Sequence, residues 1–230
     1  TTFNTNTWYH VAVTRNSGAM YLFINGVSTA FTTSGTPSGH SWGQNGLSIG
    51  AMTTPSYWTG YIDELRISKG IAKYTANFTP PTAPFIEDAN TSLLLHFDEE
   101  FTNFYKDDIN RTWTTAGTPK LLTSNYKFGS KSLYLDGNSH LTTNMTSDFD
   151  ISTGDFTIEM QVYLPSTSPN TAFLFSIGGN SLGCGSIVVC LNGGKPRILA
   201  SSNGSSWNIV DNTGTTSLIT NSFNHIAFVR

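Results

Sequence analysis

The stretch Phe156-Thr157-Ile158-Glu159-Met160-Gln161-Val162-Tyr163-Leu164 alternates apolar and polar side chains with the period of two that a β-strand imposes. Phe156, Ile158, Met160, Val162 and Leu164 fall on one face, and Thr157, Glu159 and Gln161 on the other. Such a strand is expected to have one buried face and one wet face, as antiparallel sandwiches do.

Working outward, the same signal recurs and helix signals are almost absent. Trp8 to Arg15 reads as a strand, and Asn16-Ser17-Gly18 turns it into Met20-Tyr21-Leu22-Phe23-Ile24. Asn25-Gly26 opens the next turn, which is hairpin chemistry at hairpin positions. Leu47 to Ala51, Gly60 to Ser68, Leu93 to Phe97, Lys131 to Asp136, Ala172 to Ile177, Ser186 to Leu191 and Pro196 to Ser201 complete the predicted strands. Many short strands punctuated by Gly, Asn, Asp and Pro predict an all-β protein, an antiparallel two-sheet jelly-roll sandwich.

Composition agrees. Apolar residues make up 38% of the 230, enough to fill a core, and 13% aromatics argues against disorder. Only 12% are charged, against roughly 25% in an ordinary soluble domain. The net charge is −3 and the few Lys and Arg are scattered, so nothing steers toward nucleic acid. No apolar run is long enough for a membrane-spanning helix, so no membrane insertion is expected. Cys184 and Cys190, if both lie on one strand, are too far apart to bridge and read as free thiols; a bend at Gly185 is the alternative.

The chain ends as it begins. Phe223-Asn224-His225-Ile226-Ala227-Phe228-Val229-Arg230 lines up with Trp8-Tyr9-His10-Val11-Ala12-Val13-Thr14-Arg15, and the offset is 225 − 10, or 215, residues. That period is the size of a domain rather than of a solenoid unit. The Pro-rich residues 79–91 read as a semi-rigid linker between 1–78 and 92–230. The opening at Thr1, in mid-pattern, suggests a processed chain or a piece of a longer one.

These motifs resemble the laminin-G-like branch of the concanavalin A-like lectin/glucanase superfamily. Leu93-Leu94-Leu95-His96-Phe97-Asp98 is similar to its opening strand, Phe128-Gly129-Ser130-Lys131-Ser132-Leu133-Tyr134-Leu135-Asp136-Gly137 to its second motif, and Phe156 to Leu164 to its long central strand. Trp8 to Arg15, Leu22 to Gly26, Leu47 to Gly50 and Gly60 to Ile67 are similar to the later motifs. The resemblance therefore implies that 1–78 is the C-terminal half of such a sandwich and 92–230 the N-terminal half. Either the halves belong to a tandem repeat of period about 215, or they complement each other as a permuted sandwich, with one strand to spare that could insert into a neighbouring subunit. The tail from Lys69 to Phe85 resembles the form these domains take in phage virion proteins. That likeness implies a virion or extracellular surface location and partners among other copies or other surface proteins.

Candidate sites follow from chemistry. Sugar C–H faces stack on exposed rings, so Trp42, Tyr57, Trp58 and Trp207, in Gly/Ser/Thr/Asn-rich surroundings, are the candidate carbohydrate-binding residues, with host-surface glycans as ligands. Each ring alone is as well suited to plugging the edge of the sandwich, as Trp113 is. Calcium is the one cofactor considered, because the resemblance admits it and Asp136, Asn138, Asp148 and Asp150 offer hard oxygens near turns. The glucanases of the superfamily need spaced carboxylates on one strand face. Here Asp63-Glu64 are adjacent, which a regular strand points to opposite faces, and Glu159 stands alone, so no enzymatic activity is expected. His10 and His225 are expected to hydrogen-bond a neighbouring strand. The functional expectation is a phage-type virion or surface protein that attaches through weak, multivalent glycan binding. The alternative is a ligand-free, self-assembling filament or capsid-decoration subunit, and a glycoside hydrolase is the third and weakest reading.

Overall fold

The computed structural model describes residues 7–29, 46–51, 57–98, 111–144, 146–149, 154–164, 171–178, 187–203, 205–214 and the backbone of 223–229. Among these residues there is no α-helix. The strands are β1 (Trp8–Asn16), β2 (Ala19–Ile24), β3 (Val27–Thr29), β4 (Leu47–Ile49), β5 (Thr59–Lys69), β6 (Thr91–Leu95), β7 (Trp113–Ala116) and β8 (Lys120–Leu122). They continue as β9 (Ser132–Asp136), β10 (His140–Thr143), β11 (Phe156–Tyr163), β12 (Thr171–Ile177), β13 (Ile187–Asn192), β14 (Lys195–Ala200), β15 (Val210–Thr213) and β16 (Phe223–Val229). Strands β3, β7, β8, β10 and β15 were not predicted. Each is three or four residues long, too short for alternation to register.

Two sheets face each other. The nine-stranded sheet runs β3-β2-β1-β16-β11-β5-β9-β8, with β6 also on β5, and the seven-stranded sheet runs β15-β14-β13-β12-β4-β10-β7. Strands from either side of the Pro-rich segment share both sheets: β11 lies antiparallel to β1 and to β5, and β4 sits between β12 and β10. The inward faces carry the core. Tyr9, Val11 and Val13 of β1 and Ile158, Met160 and Val162 of β11 meet Leu174, Phe175 and Ile177 of β12 and Val189 and Leu191 of β13 in one continuous cluster. Each such aliphatic side chain contributes about 1.5–3 kcal/mol through burial.

The outward face of the nine-stranded sheet departs from expectation. Every residue of β11 is buried, including Thr157, Glu159 and Gln161. The face predicted to be wet is covered by residues 70–86, which cross it as an irregular strap. Lys73 N–H bonds the Thr157 hydroxyl at 2.9 Å, Phe85 N–H bonds Glu64 Oε2 at 2.8 Å, and Ile86 C=O accepts from Arg66 Nη1 at 3.2 Å. Phe78 N–H bonds the Gly26 carbonyl at 2.9 Å. Gly26 has φ +77°, and a Cβ on it would run into the Phe78 carbonyl oxygen, so the β2–β3 turn needs glycine to seat the strap. Tyr74 and Phe78 stack at 3.6 Å between centroids over Phe23 and Ala12. Of the Pro-rich residues 79–91, Phe85 is buried against this face.

A second departure lies in β5. Ile62, Leu65 and Ile67 all point into the core, so the two residues Asp63 and Glu64 are passed over together, and Glu64 has φ +51°. The strand bulges there, which is why these carboxylates do not take opposite faces. Asp63 Oδ2 accepts Lys127 N–H (2.8 Å) and Phe128 N–H (3.2 Å), and Asp98 Oδ1 accepts Ser130 N–H (2.6 Å) and Lys131 N–H (3.1 Å). The Phe128-Gly129-Ser130 motif is thus a loop whose amides two carboxylates hold in place.

Strands β1 and β16 lie parallel to each other, Trp8 beside Phe223 and Ala12 beside Ala227, which is the register of the sequence repeat. Both also pair with β11 and with β2.

Candidate functional site

The strongest concentration of polar groups lies beneath the strap. Glu159 projects outward from β11 and is completely buried, and a buried carboxylate must be fully partnered to be tolerated. Arg66 from β5 donates to Oε1 through Nε (2.9 Å) and Nη2 (2.5 Å). His10 Nε2 lies 2.8 Å from Oε2, and the Tyr74 hydroxyl donates to the same oxygen at 2.9 Å. The Arg66 guanidinium lies 4.4 Å from the centre of the Phe85 ring. Burial, with the cations Lys127 and Arg66, holds His10 well below its ordinary ionisation range. A neutral imidazole satisfies Glu159 by donating from Nε2, and Glu159 with Arg66 then leaves the cluster uncharged. His10 therefore bonds a neighbouring strand, as expected. With both oxygens engaged and three rings over it, Glu159 braces the sheet and has no free lone pair to offer a substrate.

The predicted carbohydrate residues are distributed as follows. Trp42 lies outside the described residues. Trp58, expected among the exposed rings, is completely buried in the main core, so its ring faces are taken by protein. Its Gly/Thr-rich neighbourhood suggested a loop, but Trp58 immediately precedes the longest strand and turns inward. Tyr57 is half-buried on the outward face of the seven-stranded sheet and stacks on His140 with centroids 5.8 Å apart and planes 12° apart. Burial lowers the His140 pKa, which favours the neutral ring. Trp207 is half-buried over Phe173, Val188, Cys190 and Leu199 on the same sheet face. The Tyr57 backbone bridges to Phe173, so Phe173 borders both candidate rings.

Beside the Tyr57–His140 pair runs a row of hydroxyl side chains. Thr142 of β10 is paired with Ser48 of β4 on one side and Thr114 of β7 on the other. Leu141 and Thr143 point inward or are buried, and Ser48, Thr142 and Thr114 keep exposure. Sequence reasoning missed this row, because β7 and β10 were not predicted. It also missed a second ring cluster on the outward face of the other sheet, where Trp8, Tyr61, Tyr163 and Tyr134 gather from four strands. Their spacing in sequence holds no sign of this; Tyr61–Tyr134 at 4.9 Å and Trp8–Tyr163 at 5.7 Å arise only from strand pairing.

The calcium candidates do not converge. Asp136 Oδ1 accepts from Asn138 N–H (2.9 Å) and the Ser139 hydroxyl (2.7 Å), closing its own turn. Asp148 Oδ2 is held by Arg111 Nη2 at 2.8 Å and by the Thr146 hydroxyl at 3.2 Å, and an arginine there opposes a cation. Asp150 lies outside the described residues. Among the described residues no three His, Cys, Asp or Glu side chains are grouped to hold a metal ion. The described candidates do not fit calcium, and no function is derived through it.

Two facing sheets, with no helix among the described residues, define an all-β sandwich consistent with a jelly roll. Residues 1–72 match the Laminin_G_3 family model, of the concanavalin A-like lectin/glucanases superfamily. That segment is similar to laminin-G-like domains, as its motifs suggested. The match covers 72 of the 230 residues. No curated protein and no solved structure matches the chain.

Proposed function

We propose that this protein is a non-catalytic, lectin-like module of a virion or extracellular surface structure, attaching through weak glycan binding multiplied by repetition. The observation that carries the reading is the Tyr57–His140 stack beside the hydroxyls of Ser48, Thr142 and Thr114. A sugar needs an apolar ring face for its C–H bonds and neutral hydrogen-bonding groups for its hydroxyls, and this strip offers both without charge. One stacked ring gives low affinity, so the reading requires many copies presented together. The buried and fully bonded Glu159 supports a binding role over hydrolysis, for which a free carboxylate pair would be needed. The phage-type setting is supported by the resemblance of Lys69 to Phe85 to virion domains.

The test is a glycan panel probed with the chain displayed at high density on beads, with Tyr57→Ala alongside. Binding that falls at least tenfold in the variant supports the reading. Absence of binding by the dense display, or binding indifferent to Tyr57→Ala, would remove this site. The alternative, a ligand-free structural subunit, would then stand.

A further inference from the structure

Four rings from four strands form a row on the outward face of the nine-stranded sheet. Strand pairing puts Tyr134 of β9 opposite Tyr61 of β5, Tyr61 opposite Tyr163 of β11, and Tyr163 opposite Trp8 of β1. Directly opposed residues bring their side chains together whatever the length of chain between them. Tyr61 and Tyr134 are the closest pair of the row, with centroids 4.9 Å apart and planes at 47°. Tyr61 meets Tyr163 at 5.4 Å and 81°, edge against face. Trp8, Tyr61 and Tyr163 are buried, whereas Tyr134 is only partly covered and brings the row to the surface.

We infer that Tyr61 and Tyr134 are an oxidative cross-linking site, at which a one-electron oxidant, such as an oxidised haem or a photo-oxidised metal complex, joins the two phenols as dityrosine. Tyr134, at the surface end, is the ring that an oxidant in solution reaches. Tyr61 lies behind it and is oxidised by electron transfer to the Tyr134 radical, which the oxidant then renews. Burial, with Tyr61 and Asp136 nearby, raises the pKa of the Tyr134 phenol. The neutral phenol is therefore the reactant, and its proton leaves with the electron. With centres this close, no water or other side chain separates the two rings. Tyr163 is the poorer partner, because it is buried and meets Tyr61 edge to face.

Each phenol gives one electron to the oxidant and its hydroxyl proton to water, so two equivalents of oxidant are reduced. The two phenoxyl radicals then form one C–C bond between carbons ortho to oxygen. Each of those carbons loses its hydrogen to the phenol oxygen of its own ring, which restores both aromatic rings. The product has lost two hydrogen atoms and nothing else. The new bond closes a loop of 134 − 61, or 73, residues and ties β5 to β9 across the two sides of the Pro-rich segment. Such a tie restricts the unfolded chain far more than the folded one. This chemistry rests on strand pairing and is independent of any glycan binding.

The experiment oxidises the full chain in dilute solution with ruthenium tris-bipyridyl, persulfate and blue light, alongside Tyr61→Phe, Tyr134→Phe and Tyr126→Phe. Phenylalanine keeps each ring and removes only the hydroxyl, and circular dichroism checks that each variant keeps the fold. Tyr126 is exposed and serves as the control for encounters between chains. The expected result is dityrosine fluorescence in the monomer fraction, in a yield that does not depend on protein concentration. Mass spectrometry of a digest should then find the Tyr61 and Tyr134 fragments joined, two hydrogen atoms lighter than the two together. The signal should fall by about tenfold or more in Tyr61→Phe and in Tyr134→Phe and be unchanged in Tyr126→Phe. The inference is overturned if the monomer forms no dityrosine, or if its signal survives Tyr134→Phe undiminished. Cross-links confined to dimers and lost in Tyr126→Phe would overturn it too, since encounters between chains would then direct the coupling.

Discussion

His10 Nε2 lies 2.8 Å from Oε2 of Glu159, a contact between completely buried groups on adjacent strands that are 149 residues apart in sequence. Burial, with the charges of Lys127 and Arg66 nearby, holds the imidazole neutral. Unfolding returns it to its ordinary range, near 6.5. Below that pH the unfolded chain takes up a proton that the folded chain refuses, so stability is full above about pH 6.5 and falls as acid is added. His140, also lowered by burial, acts in the same direction. Each histidine steepens the fall by up to about 1.4 kcal/mol per pH unit. Urea unfolding between pH 5.5 and 7.5 should show this slope, and His10→Asn should flatten it; equal slopes in the two proteins would contradict a neutral His10.

Removing the other partner is more severe. Glu159→Ala leaves the Arg66 guanidinium buried with its main counter-charge gone, which should cost about 3–5 kcal/mol. The double change Glu159→Ala with Arg66→Met should recover part of that loss, since neither charge then remains. Denaturant midpoints measure both.

The strap is anchored at a turn that tolerates only glycine. Gly26→Ala places a side chain at φ +77° and against the Phe78 carbonyl. The left-handed conformation alone costs about 1–2 kcal/mol, and the strap must shift as well. A change below about 0.5 kcal/mol, within the ordinary range for surface substitutions, would mean that the strap is not seated on this turn.

Neighbouring aromatic residues should respond differently. Trp58→Ala should lose about 3–5 kcal/mol because it empties the core. Tyr57→Ala, at the half-buried surface, should lose about 1 kcal/mol. Thermal unfolding of the two variants distinguishes them, and comparable losses would place Tyr57 in the core as well.

Cys190 is a free thiol, completely buried, and burial pushes its pKa up to about 12. In a Cys184→Ser background it should resist a thiol reagent at neutral pH until denaturant is added. Rapid labelling of the native protein would show that this face of β13 opens.

Much of the fold was legible because strands declare themselves locally. The alternation of Phe156 to Leu164 and the turns at Asn16-Ser17-Gly18 and Asn25-Gly26, where Ser17 and Asn25 take positive φ, needed no distant information. The strands of three or four residues carried too little pattern. The candidate site was legible only in residue type: Tyr57 and Trp207 were named, but their common neighbour Phe173 and the hydroxyl row emerge from strand pairing.

By itself the sequence determined the period-two strands, the glycine turns and the 215-residue recurrence of the His-x-Ala strand, since each depends on local conformation or on direct comparison of residues. Tertiary structure alone decided what covers each face. A polar face that meets water and one that meets a strap share the same alternating pattern, and only the fold brings Arg66, Tyr74 and His10 around Glu159.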